Sequence, residues 1–118
     1  MDIRLKRAYT EPSSDDGYRI LVERLWPRGL TKARLAIDLW LKEVAPSPEL
    51  RKWFAHDPAK WAEFIRRYRL ELDENREAVD ELKRILKQQD VVTFVYAASD
   101  TEHNSARLLK DYLEDLEK

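Results

Sequence analysis

Guanidinium groups crowd the end of one short apolar run. In RILVERLWPRGL, residues 19–30, Ile20-Leu21-Val22 passes directly into Arg24, Trp26, Pro27, Arg28 and Gly29, with Arg19 just ahead. Arginine offers planar, bidentate recognition of phosphate or carboxylate, and the neighbouring indole offers an apolar platform. Similar groups recur where other strands would end: Lys6, Arg7 and Tyr9, then Lys42, then Tyr96. Ser47 followed by Pro48 is a helix N-cap, and the free N–H groups of such a terminus favour an anion. Together they predict that Arg7, Arg19, Arg24, Trp26, Arg28, Lys42, Ser47, Tyr96 and Asn104 bind a small anionic ligand.

Proton transfer has fewer carriers, because the chain has only two histidines. His103 falls just after the clearest strand and titrates near neutrality, although a helix N-terminus disfavours its protonated form. Asp100 is the nearest acid, and the pair His103 and Asp100 is the predicted catalytic set. His56 precedes Asp57-Pro58 and reads as a turn or cap residue. Ser99 with Glu102 three residues on spells a capping box, which explains Ser99 without chemistry. Asp16 before Gly17 reads as a loop anchor. The arginines have a structural alternative too: 23 carboxylates are available as ion-pair partners, and Trp26-Pro27 would then close the end of the core.

The sequence excludes several classes. With no cysteine there is no disulfide framework, thiolate nucleophile or thiolate zinc site. Neither G-x-x-x-x-G-K-[ST] nor G-x-G-x-x-G occurs, so no nucleotide fingerprint is present and no cofactor is expected. With 22 basic and 23 acidic residues the net charge is −1, so any anion site must be local. No apolar run approaches the roughly 20 residues that span a bilayer, and MDIRLKRAYT lacks the apolar centre of a signal peptide. A soluble cytoplasmic protein without membrane contact is expected.

The elements that would position these groups follow from periodicity. Residues 2–9 and 18–24 read as strands, and residues 36–44 read as a third. VVTFVYA, 91–97, is apolar on both faces, as a central parallel strand covered on both sides would be. Helices are predicted after Ser47, after Asp57-Pro58 with Trp61, Phe64, Ile65, Tyr68 and Leu72 on one face, and from Asn75. A last helix, capped at Ser99, buries Ala106, Leu109, Leu113 and Leu116. Trp40, Trp53 and Trp61 sit in apolar patterns and read as core. At 118 residues this is one domain, residues 1–118. It is an α/β fold: a small three-layer domain with a mainly parallel sheet of about four strands and helices on both faces. Ligands of such sheets bind beyond the strands' carboxyl ends, where the arginines collect.

Lys6-Arg7, DGYRILVERLWPRG (16–29), WLKEVAPSPELRKWF (40–54), Phe64…Arg67-Tyr68…Glu71-Leu72 and VYAASD…HNSA (95–106) resemble the YeaO-like family over nearly the whole chain. The resemblance implies a compact cytoplasmic α/β domain, a strand within IDLWLKEV, and no established reaction. The family usually has an aspartate before Arg24, where this chain has Glu23. Two further readings use the same rim. One is a nucleic-acid or regulatory module with Trp26 stacked on a base, and the other is an ion-paired homodimer surface.

Overall fold

The computed structural model describes residues 1–118. Four strands form one parallel sheet in the order β1-β4-β2-β3: β1 Asp2–Arg7, β2 Tyr18–Leu21, β3 Leu39–Trp40 and β4 Val91–Tyr96. The helices are α1 Lys32–Leu35, α2 Pro48–Phe54, α3 Trp61–Glu74, α4 Arg76–Gln88 and α5 Ser105–Leu116. None is long and apolar enough to cross a membrane.

Alternation along the strands divides the core in two. Ile3, Val92, Phe94, Ile20 and Val22 face one way, and α2, α3, α4 and α5 pack over them. Ala8, Leu21 and Val95 face the other way, under Leu35 of α1 with Trp26, Leu30, Ile37 and Trp40. β4 lies between β1 and β2 and is buried from Val92 to Tyr96, which accounts for its apolar composition on both faces. The register aligns Arg7 with Tyr96 and Leu21 with Val95, so the strand ends share one rim.

The first, second and fourth strands end one to three residues earlier than read from the sequence, and the larger differences lie at the third strand and the last helix. The third strand shrinks to Leu39–Trp40, although Leu41 N still donates to Leu21 O at 2.9 Å. Before it, Ala36 is the left-handed cap of α1; after it, residues 42–44 wind into a 3-10 turn. The last helix begins at an Asn104 cap, not at Ser99. Asp100 Oδ1 collects the amides of Glu102 and His103, both at 2.9 Å, so residues 99–104 close a turn of their own before the helix can start. Leu116, at the end of α5, is 45% exposed, not buried.

Candidate functional site

Beyond the ends of β2 and β4 lies a cavity of about 220 Å³. Its apolar walls include Leu25, Pro46, Phe54 and Phe64, and its polar side chains are Glu23, Arg24, Arg51, His56, His103, Asn104 and Ser105. Each arrives for a local reason. Glu23 and Arg24 continue the chain out of β2. Arg51 is carried by α2, which Ser47 caps through Leu50 N at 3.1 Å. His56 follows α2 through two successive left-handed residues, Ala55 at φ 47° and His56 at φ 56°. His103 and Asn104 come from the β4–α5 turn.

Glu23 is the group set deepest in conflict with its surroundings. Burial pushes its carboxyl above the usual range, against the Ala97 amide and the positive potential of His56 and Arg51. Oε1 accepts from Ala97 N at 2.8 Å, and the backbone is held by Trp40 Nε1 donating to Glu23 O at 2.6 Å. Arg24 Nε donates to Pro46 O at 2.9 Å and Nη2 to Ala45 O at 3.4 Å, fixing the cavity wall to the loop ahead of α2.

The structure brings the predicted proton-transfer pair together. His103 Nδ1 lies 2.9 Å from Asp100 Oδ2, and the ring stands edge-on to Trp61 at 5.1 Å. The amides of His103 and Glu102, with the imidazole, hold the Asp100 carboxyl below the usual range. An ionised carboxylate only accepts, so Nδ1 carries a proton toward Asp100 and Nε2 is the nitrogen left free of it.

Of the predicted ligand-binding residues, Arg24 and Asn104 line the cavity. Asn104 is spent on capping: Oδ1 accepts from Arg107 N at 2.9 Å, and Nδ2 donates to Asp100 O at 3.0 Å. Arg7 and Tyr96 sit at the neighbouring strand ends. Arg7 Nε donates to Ala98 O at 3.0 Å, and burial pushes the Tyr96 hydroxyl up despite Arg7 nearby. Neither of these two lines the cavity, and the other five lie outside it as well. Arg19 is buried on the opposite sheet face, donating to Asp16 Oδ2, Leu35 O and Ala36 O. Trp26 turns its indole N–H to Leu30 O at 2.6 Å and packs edge-to-face on Trp40 at 5.5 Å. Arg28 is exposed, and Lys42 covers the Trp40 ring at 4.6 Å. Ser47 and its helix terminus already hold an anion: Glu71 accepts from Ser47 N at 2.8 Å and Ser47 Oγ at 2.6 Å.

Sequence reasoning passed over Glu23, Arg51 and His56. Arg51 stands one turn beyond Ser47, so placing that cap at the rim brings Arg51 with it. His56 carries no such signal, because its position depends on the tandem left-handed turn. That turn is costly for residues with a Cβ. Ala55→Gly is expected to stabilise the protein by about 0.5–1 kcal/mol, since the relieved strain of about 1–2 kcal/mol exceeds the added unfolded-state entropy. A raised urea midpoint would register the gain, and an unchanged or lowered one would mean the turn is unstrained.

A family model described as the inactive DUF488-N3 subclade matches residues 2–118. The uncharacterized protein YeaO of Escherichia coli K12 is 44% identical over 116 residues, covering 98% of this chain and all of that one. The uncharacterized proteins Rv3073c of Mycobacterium tuberculosis H37Rv and Mb3100c of Mycobacterium bovis are each 40% identical over 111 residues, covering 94% of this chain and 92% of theirs. No solved structure matches.

Proposed function

The chain belongs to the DUF488-N3i family, the inactive DUF488-N3 subclade, and on that premise we propose that it binds a small anionic ligand in the cavity beyond β2 and β4. One observation carries the reading: Arg24, Arg51, His56 and His103 converge on about 220 Å³ of space that contains a single acidic side chain, Glu23. Two guanidinium groups against one carboxyl leave such a cavity net cationic. Its position also suits the rule for parallel sheets, which bind ligands beyond the strands' carboxyl ends. Arg51 and His56 supply the anion contact at the lip, and Arg24 shapes the wall.

Binding is favoured over turnover. The family's description as inactive supports this. The Asp100–His103 hydrogen bond then holds the imidazole in place as part of the cavity wall. The nucleic-acid alternative draws less support, because the Trp26 ring it would stack on a base is committed to Leu30 and Trp40.

Melting temperature against phosphate, sulfate, sugar phosphates, mononucleotides and small carboxylates tests the reading. A ligand at about 100 times its dissociation constant adds about 2.7 kcal/mol, a shift of several degrees in a domain of this size. The shift should vanish in Arg51→Ala, whose side chain is exposed and outside the core. A flat panel, or a hit indifferent to Arg51→Ala, overturns the proposal.

A further inference from the structure

An anion cavity has no use for a carboxylate on its wall unless the ligand brings something for that carboxylate to bind. Glu23 takes part in none of the protein's ion pairs. Its Oε1 accepts from the Ala97 amide at 2.8 Å and the Ala98 amide adds a weaker stabilising contact, whereas no donor within hydrogen-bond geometry reaches Oε2. Every buried side-chain nitrogen and oxygen in the protein has a partner. Oε2 is therefore open, and the space it opens to is the cavity that Glu23 lines. A half-buried carboxylate costs free energy unless it is paired with a cation; Arg51 and His56 favour its charge from a distance without pairing with it, and the contact position is left to the occupant. Arg51 and His56 stand on the same cavity and supply the opposite charge. The volume of about 220 Å³ is below the roughly 300–1,000 Å³ of sites that take drug-sized molecules, so the occupant has few heavy atoms.

We propose that the ligand is a small zwitterion, its ammonium group on Oε2 of Glu23 and its anionic group on Arg51 and His56. An α-amino acid is the simplest member of the class, and an amino-bearing phosphate ester is the other. The proposal rests on the anion-binding reading and narrows it.

Isothermal titration with matched pairs that differ only in the ammonium group decides it: the standard α-amino acids against their des-amino carboxylic acids, and phosphoethanolamine against ethyl phosphate. Loss of one charge-assisted hydrogen bond predicts that the ammonium-bearing partner of the best pair binds at least about tenfold tighter to the natural protein. Glu23→Gln should erase that preference while keeping weak binding of both partners. Glutamine still accepts the Ala97 amide, so the turn is retained; the comparison within the natural protein needs no variant in any case. Equal affinity within each pair would overturn the zwitterion and leave the anion site standing. No binding by any probe, together with a flat melting panel, would overturn both.

Discussion

Gly17→Ala is expected to lower stability by on the order of 4 kcal/mol, enough to leave much of the protein unfolded at moderate temperature. Gly17 sits at φ 64°, ψ −133°, a region closed to residues with a side chain and worth about 1–3 kcal/mol of strain if forced. Space makes it worse. A Cβ there would lie 2.3 Å from Val91 O and 2.8 Å from Val91 Cβ, so something must shift. Val91 starts the central strand, pairing with Asp2 of β1 one residue before the ladder to β2 begins at Val92, so it has little freedom to move. Gly29 is the internal control: its φ is 83°, but nothing lies within 4 Å of the added carbon. Gly29→Ala should therefore cost only the backbone strain. Urea midpoints of the two variants test the comparison, and equal losses would show that β4 yields. The site would feel the change too, because the Gly17 turn sets β2 against β4, and β2 delivers Glu23 and Arg24 to the cavity.

How far the sequence could be read depended on whether the decisive partner was near in the chain. β4 was legible because burial on both faces writes itself into every residue, and the caps at Ser47 and Asp57 were legible because their partners lie two or three residues on. The parallel sheet and the shared rim followed from these. The division of the arginines did not. Arg19 and Arg24 both end on backbone carbonyls, of Ala36 and Pro46, 17 and 22 residues away. A guanidinium bound to a carbonyl looks, in sequence, like one awaiting a phosphate. The internal partner of the Ser47 terminus was out of reach for the same reason. The α2 terminus holds Glu71, 24 residues from Ser47, and the Ala97 amide holds Glu23, 74 residues away. A carboxylate from the chain itself thus takes the place at Ser47 where an external anion was expected, which is why the proposed anion contact falls to Arg51 and His56. The last helix was started too early because Ser99 and Asp100 both suit a cap, and only the competing Asp100 turn decides between them and Asn104.

The buried Arg19 supplies the other large effect. Asp16 Oδ2 accepts from Arg19 Nη1 at 2.7 Å, both carboxylate oxygens accept from Lys6 Nζ at 3.0 Å, and Ser13 N adds a third donor at 3.0 Å. Arg19 is 4% exposed. Asp16→Ala leaves that guanidinium buried without its counter-charge, and removing one partner of a buried pair costs about 3–5 kcal/mol. Adding Arg19→Met should recover much of the loss, because an apolar side chain in the same slot carries no charge to desolvate. The pair also sets an acid limit. Burial works against ionisation of Asp16, but the Ser13 amide, Lys6 and Arg19 outweigh it and hold the carboxyl below its ordinary range. A depressed native value means that the contribution is complete above the unfolded value, about 3.9, and is lost as pH falls through the native value. The natural protein should therefore weaken below about pH 4, and the double variant should lose less over the same interval. Urea unfolding at pH 7 and pH 3 measures both. Equal acid sensitivity would assign the acid loss to other carboxylates, and a mild Asp16→Ala would mean that Arg19 is held by the carbonyls of Leu35 and Ala36 alone.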